Sequence, residues 1–77
     1  MQEQQHDSLL PIADVIAVTS LSRPTIYRMI GDAAFPAPVK IRGLARWSRN
    51  EVNDWIERAL FSRALGAQHR KSVEAKA

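Results

Sequence analysis

The sequence has no cysteine among its 77 residues. Disulfide bonds and thiolate sites for zinc or iron–sulfur clusters are therefore excluded, which is compatible with a reducing cytosol. No apolar run is long enough to span a membrane, and the first seven residues lack the basic and apolar parts of a signal peptide. These absences predict a cytoplasmic protein that does not contact a membrane.

The patterns of an enzyme are also missing. With three glycines the chain has no glycine-rich phosphate loop, and no nucleophile lies beside a candidate base. His6 and His69 are in opposite tails without companions spaced as metal ligands. Asp54 and Glu57 are interpreted as surface charges, with Asp54 placed to pair with Arg58. We expect no catalytic activity, no cofactor and no metal site.

Acidic residues are scarce in the middle of the chain. Residues 23–49 contain six basic residues and one acid, Asp32, a net charge of +5, whereas the remaining residues sum to −2. A basic stretch between slightly acidic flanks is typical of a surface that binds a polyanion such as double-stranded DNA. A merely solvated basic surface is the alternative.

Two short helices are predicted around a tight turn. The first covers roughly residues 11–18. Ser22 starts the second, because its hydroxyl can cap the amide of Thr25 and Pro24 is tolerated in a first turn. Gly31 is expected to end it in the left-handed conformation. This order is that of a helix-turn-helix, whose second helix can enter the major groove.

A hairpin and a third helix follow. Alternation in residues 39–47 predicts two strands around Gly43, with Val39, Ile41, Ala45 and Trp47 inward and three basic residues outward. Ser48 and Glu51 form a capping box, after which Val52, Trp55, Ile56, Ala59 and Leu60 make an apolar stripe. Both tryptophans are expected in the core. The predicted fold is mainly α with a small β-hairpin wing: a winged helix-turn-helix with three helices.

Three segments, "LSRPTIYRMI", "FPAPVKI" and "ARWSRNEVNDWI", carry a family resemblance over roughly residues 9–60. In this order and spacing they resemble the AlpA-like prophage regulators, relatives of phage excisionases that share the winged-helix fold of MerR-type activators. The resemblance implies a small DNA-binding transcriptional regulator of prophage or integrative-element genes, or an excision factor. The sequence differs at Ser20, where the family commonly has glycine in the turn.

The candidate DNA-binding residues lie in two groups. The second helix presents its outer side and the hairpin its basic side chains; in sequence order they are Ser22, Arg23, Pro24, Thr25, Tyr27, Arg28, Lys40, Arg42 and Arg46. Arg23 and Arg28 can contact phosphate or guanine, and Tyr27 can contact phosphate or sugar. For Arg49, solvent exposure and a phosphate contact are both open.

Partners other than DNA are less constrained. A single reading helix spans few base pairs, so a homodimer or a cooperative oligomer on DNA is expected, and a contact with an integrase or RNA polymerase is open. The rival interpretation is a small protein-interaction adaptor without specific DNA binding, because arginine and tyrosine are also favoured at protein interfaces. The expected boundaries are a disordered N-terminal tail at 1–8, the domain at 9–62, and a flexible or partly helical tail at 63–77, with Phe61 and Leu65 as candidates for pairing.

Overall fold

The computed structural model describes residues 6–69, and the side chains of residues 6–63. These residues form three helices and three short strands. In chain order they are β1 (Leu9–Leu10), α1 (Ile12–Thr19), α2 (Arg23–Gly31), β2 (Val39–Ile41), β3 (Leu44–Ser48) and α3 (Arg49–His69). The predicted winged helix-turn-helix with three helices is confirmed.

The turn between α1 and α2 is closed by local hydrogen bonds. Ser20 adopts the left-handed conformation, with φ of 62° and ψ of 22°, and its backbone N–H donates to the carbonyl of Ile16 at 2.8 Å. The Thr19 hydroxyl donates to the carbonyl of Val15 and accepts from the backbone N–H of Leu21. A left-handed residue at this position explains why glycine is suited to it.

The second helix ends later than the sequence predicts. Gly31 is still helical, and the left-handed residue is Ala33, with φ of 58°. The N–H of Ala34 donates to the carbonyl of Met29, and the N–H of Ala33 to that of Ile30, which is the Schellman pattern. The expectation for Gly31 is wrong because these closing bonds, rather than the glycine, set where the chain turns.

The sheet has three antiparallel strands in the order β1-β3-β2. Leu10 pairs with Trp47 and Leu9 with Ser48, so the segment before α1 supplies an edge strand that the sequence did not predict. A two-residue strand has too short a pattern to be recognised from alternation. Its pairing brings the N-terminal end of the domain to the start of α3.

The hairpin register corrects the predicted orientation of β2. The turn pairs Ile41 with Leu44, so Ala45 lies opposite Lys40 and Val39 lies opposite Arg46. Directly paired residues share a face of the sheet, and Val39 and Ile41 therefore lie on the face away from Trp47. They are 52% and 43% exposed, which shows that their predicted inward orientation is wrong.

The core takes one fully or nearly buried side chain from each element except β2. Those residues are Leu10, Val15, Ile26, Trp47 and Val52, together with Phe35 from the connector between α2 and β2. Trp55 and Ile56 are half-buried and pack against this cluster, whereas Leu60 on the next turn is exposed. The apolar stripe of α3 is thus buried only in its first part.

Beyond Ile56 the third helix extends past the core. Its backbone stays helical to His69, into the segment expected to be flexible or partly helical. Phe61 is 65% exposed and does not continue the buried stripe. The side chain of Leu65 and residues 70–77 lie outside the described part of the chain.

Candidate nucleic-acid interface

The start of α2 is capped as the sequence predicts. The Ser22 hydroxyl accepts from the backbone N–H of Thr25 at 3.3 Å and donates to the Thr25 hydroxyl oxygen at 2.8 Å. Pro24, in the first turn, needs no hydrogen-bond partner for its nitrogen. The backbone N–H groups of the first turn that have no partner within the helix lie at the positive end of the helix dipole and can donate hydrogen bonds to an anion.

The outer side of α2 is open to solvent, while its inner side is packed. Ser22, Arg23, Pro24 and Arg28 are exposed, and Ile26 is fully buried. Thr25 is half-buried and its hydroxyl is engaged by Ser22, so its contribution to an outer surface is smaller than expected. Two arginines on one exposed side can each reach phosphate or a guanine edge.

Tyr27 joins this outer surface to the core. It is 40% exposed, and its ring lies edge-on to the buried Trp47 with 6.0 Å between ring centroids. The indole N–H of Trp47 donates to the carbonyl of Pro36 at 3.0 Å, which fixes the ring against which Tyr27 packs. The phenol is thus held at the surface on a rigid support.

The wing turn consists of Arg42 and Gly43, both with positive φ, 51° and 83°. Positive φ at both central residues is the type I′ arrangement favoured in two-residue hairpins. The exposed Arg42 side chain therefore lies at the tip of the wing.

The other two basic residues of the wing lie on opposite faces, which corrects the expectation that they point the same way. Lys40 is exposed and shares the face of Ala45 and Trp47, the face against which Tyr27 packs. Arg46 shares the face of Val39, is half-buried, and its guanidinium donates to its neighbour's carbonyl, Ala45, at 2.8 Å. The register thus places Lys40 on the face of the hairpin that Tyr27 contacts through Trp47, and Arg46 on the opposite face.

The sequence comparison with known families decides what this arrangement belongs to. Residues 8–60 match the family model described as prophage CP4-57 regulatory protein (AlpA). This span contains both helices of the helix-turn-helix, the wing and the buried part of α3.

The chain belongs to the AlpA family of prophage regulatory proteins. The AlpA family is a family of regulators and not of enzymes. No curated protein and no solved structure matches the chain closely enough to count. Among the side chains of residues 6–63, no three histidine, aspartate or glutamate residues are grouped as metal ligands. None of the helices in residues 6–69 combines the length and the hydropathy of a membrane span.

Asp7 and Ser8 cap the third helix, a role that the sequence did not reveal. The Asp7 carboxylate accepts from the Ser48 hydroxyl and from the backbone N–H of Asn50 at 3.0 Å. Ser48 in turn accepts from the N–H of Glu51 at 3.1 Å. The predicted capping box is thus confirmed for Ser48, but in the described residues the acid beside it is Asp7, not Glu51.

Arg49 is held by the same N-terminal segment. Its backbone N–H donates to the carbonyl of Ser8, and its Nε donates to the Ser8 hydroxyl, both at 2.8 Å.

The hydrogen bonds that Asp7 accepts, above all the one from the Ser48 hydroxyl, hold the pKa of its carboxyl below its ordinary value. Asp7 and Ser8 were both assigned to a disordered tail. Their contact with the start of α3 was not predicted because it joins residues about forty positions apart in the chain.

Proposed function

We propose that this AlpA-family protein is a sequence-specific double-stranded DNA-binding transcriptional regulator of prophage or integrative-element genes. The observation that carries the proposal is the two-sided character of α2. Its inner side buries Ile26, while its outer side exposes Arg23 and Arg28, and the tip of the wing exposes a further cation at Arg42. An exposed, positively charged helix with a capped N-terminus is the geometry that reads the major groove.

The residues divide into reading and anchoring roles. Arg28 and Arg23 are placed to reach base edges or adjacent phosphates from α2, and Tyr27 contacts the sugar-phosphate backbone from its support on Trp47. Lys40 and Arg42 contact phosphates flanking the groove. Arg46, on the other face of the hairpin, contributes only to the general positive potential. Such a protein acts where the DNA is, in the nucleoid.

The experiment compares three variants on duplex DNA from the protein's genetic neighbourhood, at several salt concentrations. Four to six phosphate contacts predict a slope of log affinity against log salt of about −4 to −5. We expect Arg28→Ala to weaken the preferred site by about 1–3 kcal/mol and to relax its preference at one base pair. Arg42→Asn should weaken all sequences alike and flatten the slope by about one unit.

The variants are chosen so that a loss of folding is not mistaken for a loss of DNA binding. Asparagine is better suited than arginine to positive φ, so Arg42→Asn removes charge without weakening the turn. Arg58→Ala removes the same charge from an exposed position on α3 and serves as the matched control with near-normal affinity. A salt slope near zero for the unaltered protein, with equal affinity for all fragments, contradicts the proposal and favours the protein-adaptor interpretation.

A second copy is proposed to bind beside the first, because one reading helix spans too few base pairs for useful specificity. Leu60 and Phe61, 51% and 65% exposed beyond the core, are the side chains proposed to pair. Phe61→Ser should then reduce the steepness of binding to a fragment with two sites and leave single-site affinity unchanged. Unchanged steepness would exclude this surface from pairing.

A further inference from the structure

A groove of about 650 Å³ lies between α3 and the connector that follows α2. One wall is formed by residues 33–37, and the other by the side of α3 that carries Glu51, Asp54, Trp55 and Arg58. None of these residues belongs to the proposed DNA-binding set. The groove is thus a separate surface, within the size range of ligand pockets.

The base of the groove is aromatic and rigid. Phe35 is nearly buried and lies edge-on to Trp55, with 4.9 Å between ring centroids. The indole N–H of Trp55 donates to the carbonyl of Ala34 at 2.9 Å. The one polar atom of the ring is thereby satisfied, so the half-buried ring offers an apolar surface.

The connector wall is held in shape before any ligand binds. Pro36 and Pro38 restrict their own backbone and that of the residues before them. Ala33, which lines the groove, keeps φ at 58°, a conformation that non-glycine residues rarely adopt. A wall with few accessible conformations loses little entropy when a ligand binds.

The charge of the groove is opposite to that of the proposed DNA interface. Glu51 and Asp54 line it, and the exposed Asp32 precedes its first residue in the chain. Arg58 is the one cation among the lining residues, and it pairs with Asp54 at 2.9 Å. The carboxylates outnumber the cation, so the groove repels phosphates and attracts a cationic side chain.

We propose that this groove docks a short extended segment of another protein, with an apolar side chain on the Trp55 ring and a lysine or arginine beside Glu51. The aromatic base gives the anchor and the carboxylates give the charge complementarity. Because the groove shares no residue with the DNA-binding set, the segment binds while the protein is on DNA. The docking site stands independently of the proposed DNA-binding function.

The test is a selection from a random library of twelve-residue peptides displayed on phage, with the purified full chain as target. Enriched peptides should combine an apolar or aromatic residue with a lysine or arginine a few positions away. The affinity of the best peptide is then measured by fluorescence anisotropy, with and without saturating duplex DNA. We expect the same affinity in both conditions.

Three variants locate the binding. Ala37→Arg, at an exposed position, puts a long side chain into the groove and cancels its net negative charge, and should weaken peptide binding by about tenfold or more. Glu51→Gln should weaken it about two- to fivefold, as expected for an exposed ion pair. Glu57→Gln removes another exposed acid of the same helix that does not line the groove, and should leave the affinity unchanged.

Other results overturn the proposal. Enrichment of acidic peptides, displacement by duplex DNA, or equal binding to Ala37→Arg would each mean that the peptide binds elsewhere. A library that yields no sequence above a protein-free control would mean that the groove takes no such segment. A dimer in sedimentation that Ala37→Arg dissociates would assign the groove to a second copy of the chain.

Discussion

Within residues 6–69, three residues other than glycine have positive φ, and each lies between two helices or strands that follow one another in the chain. They are Ser20 after α1, Ala33 after α2 and Arg42 in the wing turn. Such backbone conformations destabilise a residue with a Cβ atom by about 1 kcal/mol or more. At Arg42 the strained position carries the charge at the wing tip, whereas Ala33 has no side-chain function that glycine would lose.

Ala33→Gly should therefore raise the free energy of unfolding by about 0.5–1 kcal/mol, because relief of strain outweighs the greater entropy of the unfolded chain. Urea denaturation followed by circular dichroism measures the change. Ala34→Gly, one residue along and without positive φ, should lower stability by up to about 1 kcal/mol. A loss of stability in both variants would contradict the left-handed assignment of Ala33.

At the scale of single elements, the start of α3 depends on a side chain from the other end of the fold. Asp7 accepts hydrogen bonds from Ser48 and Asn50, and the N-terminus of α3 favours the negative charge that Asp7 brings. The stability of α3 is thus coupled to the ionisation of an acid outside the helix.

Asp7→Ala should lower the urea midpoint at neutral pH, and this loss should shrink as the pH falls. The pKa of Asp7 is lowered in the folded protein, so its stabilisation is present above about pH 4 and disappears as the pH drops through the folded-state value. Glu57→Ala, an exposed acid within α3, is the matched control. A difference as large at pH 2 as at pH 7 would show that the carboxylate charge is not responsible.

The starts of α2 and α3 could be predicted from the sequence, whereas the orientation of β2 could not. Ser22 and Ser48 predicted the starts of their helices correctly, because an N-cap is a local pattern in which the serine accepts from a backbone N–H only three residues away. The predicted orientation of β2 was wrong because it depends on which residues of the two strands lie opposite each other across the turn. A shift of one residue in this pairing moves every side chain of the strand to the other face. Of the candidate DNA-binding residues, Lys40 was misplaced by that same shift, because it lies on the face of Ala45 and Trp47 rather than on the face of Arg46.

At the scale of the whole molecule, one tryptophan connects most of the fold. Trp47 is fully buried, pairs with Leu10 of β1, donates to the carbonyl of Pro36 and supports Tyr27 of α2. In a domain this small, a single large aromatic supplies much of the buried apolar surface.

Trp47→Ala should unfold most of the protein, because loss of a buried aromatic costs about 3–5 kcal/mol and a domain of this size has little more in reserve. Loss of helical circular dichroism at 25 °C and of a cooperative melting transition would show it. Phe61→Ala removes an exposed aromatic and should leave the fold intact. A folded Trp47→Ala protein with a cooperative transition would mean that the core tolerates the cavity.

The first strand of the domain finds its partner only in the last one. Leu10 lies against Trp47, and Asp7 reaches Asn50, so during synthesis the N-terminal segment must wait until about forty further residues have been made. The helix-turn-helix can form its local hydrogen bonds earlier, but it has no core to pack on until Trp47 and Val52 follow. On the ribosome α2 is thus made early and becomes rigid only after β3 and the start of α3 have followed.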